Sequence, residues 1–340
     1  MHGRSRFRTR ARGSGAALSP FLFEASTYGA TDAWDFVNDQ YIRGGLLSDG
    51  GISITRNSVG SAQTADGRIV TFSAGELRRT DKGILVEGAR TNLFLNSLVG
   101  ATQTITVTAV AHTLSFYGTG TITLSGTSTA GPLVGTGAGQ RVTLTFTPTA
   151  GSLTLTVSGT VEYVQLEVGA FASSWIPTEG ASVQRAADVV TAVPSSGTDY
   201  PLTLFGEWVK IADDGVSFSS VIIIDIAATA SDDARIVHRH TTNAARAAMR
   251  RLNVFQADLT FGTAALNVVQ RAAVRFETDN IGGSLNGGAV VKDTTATMPS
   301  APDIVRLGNR NLADPLQGYL RAAAIIPRAF SDAELQGLST

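Results

Sequence analysis

The 340-residue sequence contains no cysteine. That removes disulfides, thiolate zinc sites and cysteine nucleophiles together. Lysine is almost as scarce, with only Lys82, Lys210 and Lys292, and charged residues make up 16% of the chain, well below the roughly 25% of an average soluble domain. A chain so poor in Lys and Glu is no coiled coil. Basic and acidic side chains number 27 and 28, for a net charge of −1, which argues against a protein that coats nucleic acid. No apolar run reaches the roughly 18 residues a membrane helix needs, so no membrane insertion is expected. The basic N-terminus has no apolar stretch behind it, so it does not read as a secretory signal.

What the sequence does have is 36 glycines and long stretches that alternate apolar and polar residues. Residues 98–161 carry one formally charged side chain, Arg141, among dense Thr, Ser and Gly. Thr102, Thr104, Thr106 and Thr108 alternate with Gln103, Ile105, Val107 and Ala109, and the same period recurs through 121–124, 142–146 and 153–157. Branched residues on one face and threonines on the other describe half-buried antiparallel strands. At this spacing, with Gly and Pro turns between, they predict a β-sandwich.

Upstream, residues 20–97 hold short runs such as Ile52–Thr55 and Ile84–Val86 between Gly44-Gly45, Asp49-Gly50-Gly51, Asp66-Gly67 and Lys82-Gly83, which are hairpin signals. This segment reads as an irregular connecting layer without a large core of its own. Downstream, strands are expected at Leu202–Lys210, Val221–Ile226, Ala234–His238, Ala245–Asn253, Ala272–Glu277 and Ile304–Leu307. The run Val221–Ile224 suits a central strand buried on both faces, while 244–252 is open between strand and helix. Ser331 followed by Glu334 is a capping box for a short terminal helix. The fold class is therefore all-β: an arm (1–19), a short-strand segment (20–97), a Thr/Gly-rich sandwich resembling a carbohydrate-binding module (98–168), a linker (169–190) and a second sandwich (191–340).

The first residues alternate strictly, placing Arg4, Arg6, Arg8, Arg10 and Arg12 on one face of an extended strand. They form either a solvated tail or an arm that docks on an acidic partner surface or nucleic acid. Asp213-Asp214 and Asp232-Asp233 are the adjacent carboxylates in view, and both read better as turns than as a glycosidase pair or a calcium loop. His238 and His240 share a strand face but lack a visible third ligand, so no metal and no cofactor is expected. No G-x-S-x-G, H-E-x-x-H or P-loop pattern occurs, and no catalytic residue is assigned. Trp34, Tyr117, Trp175, Trp208 and Tyr319 are the aromatic candidates for gripping a sugar; each is also a natural core residue.

Three blocks resemble a known group of proteins. Gly83–Leu93 (GILVEGARTNL), together with Val164–Thr178 (VQLEVGAFASSWIPT) and Arg185–Asp188 (RAAD), resembles recurrent blocks of bacteriophage head-spike and tail-fibre proteins. Asn286-Gly287-Gly288, Arg306–Gly308, Gly318–Arg321 and Pro327–Leu335 are similar to the final strands of concanavalin A-like (laminin G-like) jelly rolls. The resemblance covers about residues 45–340 and leaves the arginine arm outside. It implies a non-enzymatic virion protein, a tail fibre, minor tail protein or head spike. Its expected partners are capsid, tail or baseplate proteins, sister copies in a homotrimer, and host cell-surface polysaccharide. Tyr117, Trp175, Trp208 and Tyr319 would then be the glycan contacts and the five arginines the docking arm. The alternatives are a virion polysaccharide depolymerase and a decoration protein that binds no receptor. Between Glu87 and Arg90 a buried framework interaction is expected.

Overall fold

A computed structural model describes residues 17–213, 220–229, 231–240, 242–310 and 314–340; Arg4, Arg6, Arg8, Arg10, Arg12 and Asp214 lie outside the described residues. Strands dominate, with two short helices, α1 (Pro20–Thr27) and α2 (Asp332–Leu338). The all-β expectation holds.

The larger unit is a sandwich of two antiparallel sheets. One runs in the order Val291–Asp293, Ile281–Leu285, Gln270–Phe276, Leu202–Lys210, Gly318–Ile326, Asp32–Asp35, Gln40–Arg43 and Leu46–Leu47, with Gly83–Val86 and then Arg79–Thr80 branching from Gly318–Ile326. The other runs Val254–Thr263, Ala244–Arg251, Asp233–Arg239, Ser220–Ala227, Ile304–Leu307, Val189–Ala192 and Ile52–Thr55. Between them lies the main core, including Trp34, Ile84, Leu204, Trp208, Ile236, Met249, Val274, Leu307 and Ile325. The outer face of the first sheet is covered in turn by α1 and α2 through Leu22, Ala25, Phe205, Ala324, Phe330 and Leu335. Ser331 caps α2 with Glu334 in the expected reciprocal box.

Residues 20–97 therefore do not form a connecting layer apart. Asp32–Asp35, Gln40–Arg43, Leu46–Leu47, Ile52–Thr55, Arg79–Thr80 and Gly83–Val86 join the two sheets of the second sandwich, because strands of about four residues are too short to build a core alone; Gly60–Gln63 pairs with Ile69–Phe72, and Arg90–Asn92 with Val183–Arg185, in small sheets of their own. The segment open between strand and helix is a strand, Ala244–Arg251, with Ala245, Ala247 and Met249 turned inward. In the run Val221–Ile224 the register shifts between Ile222 and Ile224. This bulge lets both Ile223 and Ile224 reach the same core; the strand lies centrally in its sheet, and its residues Ile223, Ile224, Asp225, Ile226 and Ala227 are all buried.

The Thr-rich sandwich forms where the alternation placed it. Gln103–Val107, Gly151–Ser158, Thr121–Gly126 and Leu133–Val134 make one sheet, and Gly137–Phe146, His112–Gly118 and Val161–Val168 the other. Leu114, Phe116, Ile122, Leu153, Leu155 and Leu166 fill the space between. Threonines pair across strands on the outer faces, Thr104 with Thr154 at 3.0 Å and Thr113 with Thr145 at 2.9 Å, the contacts that stabilise a polar sheet surface.

Candidate functional site: a charged neck and a groove beside the first helix

The chain leaves the larger sandwich through Gly83–Leu93, makes the Thr-rich sandwich, and returns through Val164–Asp188. The two blocks meet at the neck between the units. Glu87 accepts hydrogen bonds from Arg78 Nη1 (2.8 Å), from Ser174 N (2.8 Å) and from Ser174 Oγ (2.6 Å), and Arg185 lies 2.8 Å from it. Asp188 accepts from Arg56 Nη1 (2.9 Å), from Arg78 and from the backbone N–H of Glu87 (3.0 Å). All five charged groups are buried. Burial alone would push the Glu87 carboxyl up, but Arg185 and Arg78 with the Ser174 hydrogen bonds outweigh it and hold the group at about 2. Glu167 joins the same neighbourhood, accepting from Gln165 Nε2, Ser173 N and Ser173 Oγ.

Arg90 is not part of this cluster. Its Nη1 donates to the Val168 carbonyl at 2.6 Å and its guanidinium covers the Phe171 ring, so the expected Glu87–Arg90 pair is replaced by Glu87 with Arg78 and Arg185. The reason is geometric: Glu87 follows Gly83–Val86 of the larger sheet, whereas Arg90 opens Arg90–Asn92, which pairs with Val183–Arg185 in a separate two-stranded sheet. Asn92 adds a polar clasp. Its Nδ2 donates to the carbonyls of Val164 and Ile176, and its Oδ1 accepts from the N–H groups of Phe94 and Leu166.

The five aromatic candidates are enclosed. Trp208 is fully buried, with Nε1 donating to His238 Nδ1 at 3.0 Å. Tyr117 and Trp175 flank Tyr163 at the neck in edge-on contacts. Tyr319 is buried, its hydroxyl donating to the Gln63 carbonyl at 3.1 Å. Trp34 likewise donates to the Gly50 carbonyl at 2.8 Å. As placed, these rings pack the interior and offer no face to a glycan, because large aromatics contribute most when fully enclosed.

His238 and His240 do share a face, and both are buried. With the Trp208 indole donating to Nδ1, the His238 proton sits on Nε2, toward Asn243 Oδ1 at 3.2 Å. Burial, then the nearby Lys210 charge, lowers its pKa to about 4. His240 Nδ1 lies 2.8 Å from Asp213 Oδ1. Each imidazole thus has its own partners. Among the described residues no set of three or more His, Cys, Asp or Glu is arranged to hold a metal. Asp232 accepts from the Leu252 N–H and Ser300 Oγ, while Asp233 is held by Arg235 and Arg250; the two point to different partners and are no catalytic pair.

A groove with a cavity of about 330 Å³ opens beside α1, on the outer face of the first sheet. Phe21 stacks on Phe205 at 5.2 Å between ring centroids. Arg271 covers the Phe205 ring and bridges Glu24 (3.6 Å) and Glu207 (3.5 Å), and Arg321 Nε donates to Glu207 at 2.6 Å. Asp35 is held by Ser19 Oγ and Asn38. Apart from Arg321, which lies within a quoted block, none of these groove residues stood out in the sequence. One signal was present: Glu207 is the sole carboxylate in an apolar strand, and such a group needs a partner.

No family model and no curated protein matches the chain. Among solved structures it is similar to the CBM40 domain of the Ruminococcus gnavus IT-sialidase (14% identity, TM-score 0.34, 41% of this chain and 83% of that one). It is also similar to domain 4 of AbnA, a GH43 extracellular arabinanase from Geobacillus stearothermophilus (12%, TM-score 0.37, 50% and 82%). A third likeness is to domains LG4-5 of the mouse laminin alpha1 chain (11%, TM-score 0.27, 73% and 92%). The all-β sandwich architecture is what the chain shares with them; no residue is carried across at these identities.

Proposed function

We propose that this chain is a bacteriophage virion structural protein, of the tail-fibre, minor tail or head-spike kind, that presents β-sandwich domains to host surface glycans. The supporting observation is the neck. The blocks that resemble phage spike and fibre proteins are the same ones that meet in the buried Glu87–Asp188–arginine cluster, so the resemblance falls on the framework that holds two sandwiches together. Such a framework suits a load-transmitting particle component, and a buried charge cluster fixes one arrangement of its parts. In this reading the five arginines of the N-terminal arm attach the protein to the particle and no reaction is catalysed.

Two experiments test it. Antibody labelling of purified phage particles should place the protein on the virion, and its absence from particles would end the proposal. Deleting residues 1–12 should abolish incorporation while leaving the far-ultraviolet circular dichroism unchanged; normal copy number in the truncated form would remove the docking role.

A depolymerase is the second reading, favoured by three carboxylates, Glu24, Asp35 and Glu207, along one groove. Against it, each is already engaged by an arginine or by hydroxyl and amide donors, whereas a glycosidase acid works from an apolar setting that keeps it protonated. Release of reducing ends from host polysaccharide by the wild type, lost in Glu207→Gln, would reverse the order of the two readings.

A further inference from the structure

Among the described residues no helix covers the outer face of the second sheet, which carries a row of charged side chains, Asp225, Asp233, Arg235 and Arg306 of them buried. Arg235 and Arg239 project from Asp233–Arg239, Arg246 and Arg250 from Ala244–Arg251, and Arg306 from Ile304–Leu307. Asp225, Asp233 and Asp258 lie among them. Five guanidiniums against three carboxylates leave a local surplus of two positive charges, in a chain whose net charge is −1. Arg306 pairs with Asp225, and Arg235 and Arg250 with Asp233. At the edge of the sheet Arg239 and Arg246 share the single carboxylate of Asp258.

The surplus is concentrated where the surface is also concave and aromatic. Arg235, Val237, Arg239, Arg246, Ala248, Phe255 and Asp258 line a concavity of about 40 Å³, room for one carboxylate-sized group, since a water in the liquid occupies about 30 Å³. Phe255 stands directly opposite Arg250 in the register, on this same face, and the residue is 57% exposed. The Nε atoms of Arg235, Arg239 and Arg246 are buried without a hydrogen-bond acceptor.

We propose that this edge of the sheet binds a carboxylate-bearing sugar residue of an acidic polysaccharide. The sugar carboxylate enters the concavity between Arg239 and Arg246, whose fork geometry matches it. Asp258 accepts hydrogen bonds from ring hydroxyls, and Phe255 lies under the apolar C–H face of the sugar. A polynucleotide is the rival polyanion for the same arginines, and the test below separates the two. The proposal rests on the glycan-binding part of the function proposed above and specifies the class of glycan and the place.

The test uses the full chain and three immobilised polymers: polygalacturonate, the same polymer with its carboxyls reduced, and dextran. Polygalacturonate should bind at least 10-fold more tightly than the other two, and the affinity should fall with added salt. Phe255→Ala, at an exposed position that folding does not need, should weaken binding several-fold. Arg246→Ala should weaken it about 10-fold, with Arg246→Lys recovering only part. Equal affinity for the carboxyl-reduced polymer, or unchanged affinity in both the Phe255 and Arg246 variants, overturns the site while leaving glycan binding intact. Binding of single-stranded DNA as tightly as polygalacturonate, insensitive to Phe255→Ala, overturns it in favour of unspecific charge attraction. Failure to bind any of the three, with host-cell binding retained, overturns the acidic-sugar assignment alone; failure with host cells as well overturns the glycan-binding reading.

Discussion

At the scale of single residues, Glu87 and His238 show how burial turns ionisation into stability. Glu87 is held at about 2 against an ordinary value of 4.5. A carboxylate depressed on folding contributes its full stabilisation above its unfolded pKa and loses it as the pH falls through the folded one. Its contribution is thus complete above about pH 4.5 and lost toward pH 2. His238 falls from 6.5 to about 4, so the folded protein resists a proton that the unfolded chain accepts, and stability declines from pH 6.5 down to about 4. Urea midpoints measured against pH should show both windows, and His238→Gln should flatten only the upper one. Removing one member of the neck is the more severe change. Glu87→Ala removes the carboxylate paired with Arg185 in the interior and leaves Arg78 with Asp188 alone, at a cost of about 3–5 kcal/mol, read as a lowered midpoint in urea. Of these two residues the sequence displayed Glu87 as part of a block and His238 as half of a metal-like pair. Their real partners, Arg78 and Trp208, lie 9 and 30 positions away, a separation that no local pattern encodes.

At the scale of elements, alternation and turn chemistry were the legible part. Leu202–Lys210 and Ile304–Leu307 have the bounds expected of them, because a period of two with apolar residues on the core side leaves little freedom in register. The Gly44-Gly45 pair joins Gln40–Arg43 to Leu46–Leu47 with both residues at positive φ, the conformation a two-residue hairpin requires. The strand Val254–Thr263 was not expected, since its pattern is broken by register shifts against its neighbour; with it went Phe255, now the most exposed part of the proposed sugar site. Gly83 shows a constraint that sequence states only as a letter. Its φ is +109°, and a Cβ there would meet the carbonyl oxygen of Leu320 in the neighbouring strand. Gly83→Ala should therefore cost about 1–3 kcal/mol, measured as a lower thermal midpoint. Ser331→Ala, by contrast, removes one cap from a terminal helix and should cost only about 1 kcal/mol.

At the scale of the whole molecule, the question is which parts fold without the others. The sequence divides at 97 and 191 by composition, but composition reports solvent exposure and says nothing about which strands pair. In the structure Asp32–Asp35 and Gly83–Val86 lie along Gly318–Ile326, and Ile52–Thr55 closes the second sheet beside Val189–Ala192. A fragment of residues 191–340 would expose the long central strand Gly318–Ile326 along one side, and an open apolar edge of that length favours aggregation. It should lack a cooperative thermal transition and elute as aggregate in size-exclusion chromatography. The Thr-rich sandwich stands in the opposite relation. Leu93 N donates to the Leu166 carbonyl at 2.8 Å, and Asn92 bonds the Val164 carbonyl, so the two ends of the inserted unit are already adjacent. Replacing residues 95–162 with a short Gly/Ser linker leaves every charged group of the neck in place and costs little in loop closure. That variant should retain the cooperative transition of the larger sandwich, lowered by the loss of the Ser97 hydroxyl that accepts from the Trp175 indole. A fully unfolded product would mean that the Thr-rich unit is needed to form the neck, and the larger sandwich would then not be an independent folding unit.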